Sequence, residues 1–161
     1  MSGIPSVTEE LHTLGALLRV PFETTLDFIY KKLAKVGFDD VRPAHGAVLR
    51  YIPRDGSQIS ELAERARMTK QSMAELVEYL RERKYVDLAP DQSDRRAKVV
   101  RLTKRGWKLH SALVRNSRAF ERECARGLGA EKWRQFRALL EEFAAWSSAY
   151  SEKAQVTPEA T

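Results

Sequence analysis

The sequence predicts a mainly α-helical fold with one small β-hairpin, and three observations predict it. Apolar residues recur at steps of three and four over most of the chain, the spacing of helices with one buried face. Two short runs, Tyr85-Val86-Asp87-Leu88 and Lys98-Val99-Val100-Arg101-Leu102, alternate instead with period two and are joined by a polar loop. Just before them, two helical stretches are separated only by Arg67-Met68-Thr69. Helix, tight turn, second helix and charged hairpin together make a winged helix-turn-helix. The predicted organisation is a winged helix-turn-helix over residues 37–103, N- and C-terminal dimerisation helices over 1–36 and 104–150, and a flexible tail over 151–161.

Ser6-Val7-Thr8-Glu9 has the form of a capping box. After it, Leu11, Leu14, Leu18, Phe22, Leu26, Ile29, Leu33 and Val36 predict one amphipathic helix ending at Gly37. About 28 residues of helix would span about 40 Å, more than a small domain covers, so part of its apolar face is expected to meet another subunit. Pro21 removes one hydrogen bond and predicts a kink or two shorter helices. A second helix starts at Arg42-Pro43-Ala44, runs to Tyr51-Ile52 and stops at Pro53. Asp55-Gly56 is a turn, Gln58-Ile59 a possible short strand, and Ser60 a cap for Glu61 to Ala66.

Within the helix-turn-helix, small Ala63 allows close approach of a second helix carrying Met73 and Leu76. Arg67 occupies a turn position that often needs positive φ, at a cost of roughly 1 kcal/mol for a residue other than glycine. Thr69 is a good N-cap, and Met73, Leu76, Val77 and Leu80 form the apolar stripe behind it. The opposite face carries Gln71, Glu75, Glu78 and Glu82, with Ser72 and Ala74 at its edges. One reading is a solvated polar face. In a helix-turn-helix, however, the first turns reach base edges, which nominates Thr69, Lys70, Gln71, Ser72, Ala74 and Glu75. Gln71 could bond adenine bidentately, Glu75 could accept from cytosine N4, and Lys70 suits a phosphate or guanine.

The loop from Pro90 to Ala97 carries Asp94-Arg95-Arg96 at its tip. Arg95 or Arg96 could enter a narrow minor groove, whose potential favours guanidinium; Asp94 could equally pair with one arginine and stiffen the loop. From Gln92 to Lys108 stand Arg95, Arg96, Lys98, Arg101, Lys104, Arg105 and Lys108 against Asp94 alone, a local excess equal to the whole chain's +6. The positive charge is therefore a patch, suited to a nucleic-acid backbone.

Thr103 caps a further helix past Trp107, Leu109, Leu113 and Phe120 to about Arg126, where Gly127 and Gly129 break it. The last helix carries Trp133, Phe136, Leu140, Phe143, Trp146 and Tyr150 at three–four spacing. That aromatic stripe exceeds what a small subunit buries by itself, and packing against a second subunit is favoured over pure core.

Other chemistries find little support. No uncharged run approaches the length of a membrane span, and Met1–Leu14 lacks the form of a signal peptide. A single cysteine, Cys124, fits a reducing cytoplasm, and the charges of both signs around it favour a structural thiol. His12, His45 and His110 lack the close spacing of a zinc site, and no glycine-rich phosphate loop, nucleophile motif or carboxylate pair is present, so no cofactor, metal or enzymatic activity is expected.

ISELAERARMTKQSMAELVEYLRERKYV followed by DQSDRRAKVVRLTKRG resembles the MarR family of bacterial transcription regulators, most sharply from about Gln58 to Gly106. The resemblance implies a homodimer joined by its terminal helices on a pseudo-palindromic site in double-stranded DNA, usually to repress transcription. It implies the helix from Thr69 in the major groove, Arg95 or Arg96 in the minor groove, and Lys98 nearby. It also implies release by a small, often aromatic or anionic effector bound between the dimerisation helices and the winged domain, with Phe22, His45, Trp107 and His110 as candidate contacts. Arg67 at the turn, Pro21 in the first helix and Gly46, where relatives often carry a bulky aromatic, depart from the family pattern. The competing readings are a winged helix kept as a protein-interaction or dimerisation module, supported by Glu75, Glu78 and Glu82, and an aromatic pocket that sequesters a compound.

Overall fold

The computed structural model describes residues 13–90 and 98–156, with side chains to Glu152. In chain order the elements are α1 (Leu14–Ala34), a 3-10 turn (Pro43–His45), α2 (Gly46–Tyr51), α3 (Ile59–Arg65), α4 (Lys70–Glu82), β1 (Val86–Pro90), β2 (Lys98–Leu102), α5 (Lys104–Leu128) and α6 (Ala130–Val156). The fold is mainly α with a two-stranded antiparallel wing, as the periodicities predict. The chain divides into two compact units, one up to Arg118 and one from Ala119.

The first unit is organised around Leu33, Leu62, Met73, Leu80, Tyr85 and Leu109, all without solvent exposure. Only the C-terminal half of α1 joins this core, through Ile29 and Leu33, and Asn116 of α5 donates to the Ile29 carbonyl at 3.3 Å. Thr13 caps α1 by accepting the Ala16 N–H; the Ser6–Glu9 capping box lies outside the described residues. The expected division at Pro21 does not occur, since α1 passes through it as one element. Proline frees only the Leu17 carbonyl, and Leu17, Leu18, Val20 and Phe22 are all exposed there, so water can serve that carbonyl. The Thr24 and Thr25 hydroxyls add bonds to the Val20 and Pro21 carbonyls at 2.9 and 2.7 Å.

Two local expectations are corrected between α2 and α3. Gln58-Ile59 is not a strand: the pairing is a single bridge between Ser57 and Val100, and Ile59 is already helical. Nor does Ser60 cap α3. Gln58 is the N-cap, and the Glu61 carboxylate reaches back to accept both the Gln58 N–H and the Ser57 hydroxyl. A carboxylate three residues into the helix satisfies the free donors better than the Ser60 hydroxyl would.

The turn after α3 uses positive φ at Arg67 (52°), so this arginine carries the strain expected there. On α4, Met73, Val77 and Leu80 are buried and Leu76 packs against the core, as the stripe predicts. Lys84, at φ 61°, turns the chain into β1, which pairs with β2 in the register Val86↔Leu102 to Pro90↔Lys98. Thr103 then caps α5: its hydroxyl accepts the Gly106 N–H at 3.1 Å and donates to the Lys84 carbonyl at 2.6 Å. Gly106 is obligatory for contact, because a Cβ there would sit 2.0 Å from the Tyr85 carbonyl oxygen.

In the second unit, the break between helices falls at Gly129 (φ 85°), while Gly127 remains helical. Arg137 of α6 donates to Glu121 at 2.6 Å and to Glu141 at 2.9 Å. Helix α6 continues to Val156, beyond the Ser151 boundary expected for the tail. Phe143, Trp146 and Tyr150 stack in series along it, with ring centroids 6.0 and 5.3 Å apart.

Candidate nucleic-acid interface

The N-terminal turn of α4 is built from its own hydroxyls. Thr69 Oγ1 accepts the Ser72 N–H at 3.1 Å and lies 2.8 Å from Ser72 Oγ, so both side chains stiffen the first turn. Lys70, Gln71 and Glu75 are exposed, while Ser72 and Ala74 are half-buried at the edge of that face. Gln71 Nε2 donates to Glu75 Oε1 at 3.4 Å. One amide hydrogen and the amide oxygen of Gln71 are left over, enough for a bidentate contact with adenine.

The acids farther along α4 are held by neighbouring cations. Arg81 grips Glu78 with two bonds, of 2.8 and 2.7 Å, and that hydrogen bonding holds the Glu78 carboxyl below the usual carboxylate range. Arg83 Nη1 lies 3.4 Å from Glu82 Oε2. The outer face of α4 therefore carries less negative charge than its composition suggests, which removes much of its conflict with a phosphate backbone.

Lys98 is exposed at the root of the wing. Arg95 and Arg96, the candidates for the wing tip, lie outside the described residues. On the flank of the hairpin, Arg101 Nε donates to the Asp55 carbonyl at 3.0 Å, tying β2 to the turn before α3. A cleft of about 470 Å³ opens between α2 and α4, with Arg50 and Tyr51 on one wall and Ser72 and Glu75 on the other.

Of the four ligand candidates, the structure brings Trp107 and His110 together. Trp107 lines a second cleft of about 500 Å³ with Val36, Phe38, Lys108, Ser111, Ala112 and Arg115. His110 packs edge-on against Trp107, with centroids 5.6 Å apart. Phe22 stands 54% exposed on the N-terminal half of α1, away from that wall. His45 is buried and structural: its Nδ1 accepts the Arg42 N–H at 3.0 Å, and its ring stacks 4.2 Å from that of Tyr79. Burial, then the Arg83 and Arg42 charges, push its pKa down against the opposing pull of Asp40. Gly46 leaves room that Tyr30 uses, its hydroxyl lying 3.3 Å from where a Cβ would stand. Cys124 is half-buried, and burial together with Glu121 and Glu123 pushes its thiol up, away from thiolate chemistry.

A cluster centred on Asp40 escaped sequence reasoning. Its Oδ1 accepts the Tyr85 hydroxyl at 2.6 Å, and its carbonyl accepts the Tyr79 hydroxyl at 2.6 Å. Arg105 Nη2 donates to the Tyr85 hydroxyl at 3.0 Å, and Arg83 and Arg105 each approach Asp40 Oδ2 to 3.8 Å. The only local trace was the Tyr79–Arg83 pair four residues apart at the end of α4, where the guanidinium lies 3.5 Å over the ring. Among the described residues, no group of three potential metal ligands converges and no helix is long and apolar enough to cross a membrane.

Comparison with known proteins places this geometry. Residues 39–97, from Asp40's neighbour to the wing loop, match the profile of the MarR family. The exopolysaccharide II synthesis transcriptional activator ExpG of Rhizobium meliloti (strain 1021) is 27% identical over 96 residues, covering 60% of this chain and 50% of its own. The match thus spans about half the length of that relative. Among solved structures, CouR from Rhodococcus jostii RHA1 bound to p-coumaroyl-CoA has a TM-score of 0.64 at 23% identity, covering 86% of this chain and 95% of its own. A mutant of S. aureus MepR bound to an oligodeoxyribonucleotide has a TM-score of 0.58 at 23% identity, covering 84% of this chain and 98% of its own. The segment that matches the MarR family model is folded here as a winged helix-turn-helix between long helices, and the chain is similar in fold to these regulators.

Proposed function

We propose that this chain is a homodimeric regulator of transcription that reads a pseudo-palindromic DNA site. The observation that carries the reading is α4: its first turns are capped at Thr69 and offer Lys70, Gln71 and Glu75 to solvent, while its distal acids are held by Arg81 and Arg83. Thr69, Ser72 and Ala74 shape that surface, and Lys98 with Arg95 and Arg96 supplies the wing's contacts to backbone and minor groove. The MepR structure with an oligodeoxyribonucleotide supports this use of the fold. Dimerisation draws on the uncovered apolar faces of α1 and α6, including Leu17, Val20, Leu139 and Trp146. A two-fold axis through such arms sets two half-sites about one helical turn apart. Repression follows where the site overlaps a promoter; ExpG, named as an activator, illustrates the other sign.

The effector reading narrows to the cleft walled by Phe38 and Trp107, with Lys108 and Arg115 at its edge. An apolar wall with two cations suits a small aromatic anion. Phe38 also lies 6.1 Å from the Tyr85 ring, so an occupant would bear on the segment that joins α4 to β1. CouR with p-coumaroyl-CoA supports ligand control within this fold.

Footprinting on DNA upstream of the chain's own gene tests the central claim. A protected palindrome is expected, with affinity falling steeply with salt and about tenfold or more in Arg95→Ala or Arg96→Ala. Sequence-independent protection, or unchanged affinity in both variants, would sink it.

A further inference from the structure

We infer that the Tyr85 hydroxyl, held by Asp40, is a positioning group that sets how α4 and the wing are presented together, and thereby governs sequence discrimination more than overall affinity. The inference rests on the DNA-reading proposal and deepens it.

Tyr85 sits at the hinge between α4 and β1, directly after the left-handed Lys84, and is fully buried. Phenylalanine would fill the same volume. What the hydroxyl adds is a bond to a carboxylate on a distant segment, Asp40, 45 residues earlier in the chain. That one residue is bound from three places: its carbonyl accepts from Tyr79 on α4, its carboxylate accepts from Tyr85 at the hinge, and the same carboxylate pairs at 3.8 Å with Arg83 at the end of α4 and Arg105 in the first turn of α5. The ring of Tyr79 is contacted by both Arg83, at 3.5 Å, and His45, at 4.2 Å. Two planar groups so close to one centroid must take opposite faces, so the C-terminal half of α4 is clamped as well as tethered. At the hinge itself, Thr103 and Gly106 close on the Lys84 and Tyr85 carbonyls, leaving no slack between the wing's last strand and α5.

Phosphate contacts tolerate small reorientations of a helix because long cationic side chains follow the backbone. Base-edge hydrogen bonds do not, and they carry the sequence information. Releasing the hinge should therefore damage recognition of the right site and leave binding to an arbitrary duplex nearly intact.

The test uses the full chain and two duplexes: one enriched by the wild type from a random library, and a scramble of the same composition. Fluorescence anisotropy gives both affinities for wild type, Tyr85→Phe, Asp40→Ala and the double variant, with circular dichroism confirming that each is folded. Each single change is expected to lower the ratio of the two affinities about tenfold, the size of one charge-assisted hydrogen bond. Affinity for the scramble is expected to stay within about twofold with its salt dependence intact. The double variant should lose clearly less than the sum of the two singles, because the Tyr85–Asp40 bond is already broken in each. Asp40→Asn, which keeps an oxygen acceptor and the side-chain volume, should retain the ratio within about threefold. An unchanged ratio in Tyr85→Phe, losses that add in the double variant, or an Asp40→Asn ratio as low as that of Asp40→Ala would overturn the inference while leaving DNA reading intact. A wild type that enriches no duplex would overturn the DNA-reading proposal and this inference with it.

Discussion

The winged unit and the outer helices use the same apolar residues at the same helical spacing and end in opposite conditions. Leu33, Leu62, Met73, Leu80 and Leu109 have no exposed surface, whereas Leu139 and Trp146 on α6 are 65% and 60% exposed. Helix α1 contains both conditions: Ile29 and Leu33 are sealed in the core, and Val20, three turns earlier, is 58% exposed. Helical periodicity alone does not distinguish these cases. The difference is whether another element of the chain closes over the stripe. The winged unit is covered within one chain, and the apolar faces of the outer helices are left exposed, as the proposed dimer requires.

The largest expected effect is in the core. Leu62→Ala removes a fully buried side chain between α3 and α4 and is expected to cost about 2–5 kcal/mol by denaturant unfolding. A cost below about 1 kcal/mol would show that the unit is not the tightly packed body described. Gly106→Ala comes next. Its methyl group would meet the Tyr85 carbonyl oxygen at 2.0 Å, and backbone cannot step aside as a flexible side chain can. A loss of about 1–3 kcal/mol is expected in the same measurement.

The arms should respond differently. Leu139→Ser with Trp146→Ser changes exposed residues, so intrachain stability at low concentration should move by about 0.5 kcal/mol or less. Association should weaken at least tenfold in sedimentation equilibrium, since central apolar anchors dominate interfaces. A wild type that is monomeric at all concentrations, or a variant that associates as tightly as wild type, would remove α6 from the proposed interface.

What could be read from the sequence divides along the same line. Local chemistry was readable: Thr69 and Thr103 announce their caps, and the alternating runs after Lys84 announce the wing. Gln58 and Ser60 were confused because a cap depends on where Glu61 can reach, which one residue of register decides. Pro21 does not divide α1, because the carbonyl it orphans stands where the helix is exposed and can meet water. The local bonding of His45 was not legible, because a lone histidine on an apolar stretch gives no sign that its Nδ1 accepts the Arg42 N–H. The Asp40 cluster was invisible, since its partners stand 39 to 45 residues away along α4 and its hinge, with Arg105 farther still.

The smallest effect sharpens the comparison through pH. Folding holds the His45 pKa below its ordinary value, through burial first and then the Arg83 and Arg42 charges, with Asp40 opposing. The unfolded chain takes up a proton near its ordinary pKa of about 6.5. The folded chain does so only at lower pH, where a proton on Nδ1 would also break the bond from the Arg42 N–H. The stability due to neutral His45 is thus fully present above about pH 6.5, falls as pH drops through that value, and levels off below the folded pKa. Thermal midpoints measured from about pH 8 down to about pH 5 should show this decline in wild type. His45→Phe, which keeps a ring against Tyr79 and cannot titrate, should show a flatter profile whatever its starting midpoint. Because His45 lies in the unit that is covered within one chain, the difference in slope should not change with protein concentration, whereas midpoints set by association would. A concentration-dependent difference, or equal slopes, would show that the histidine titrates with the arms and not with the winged core.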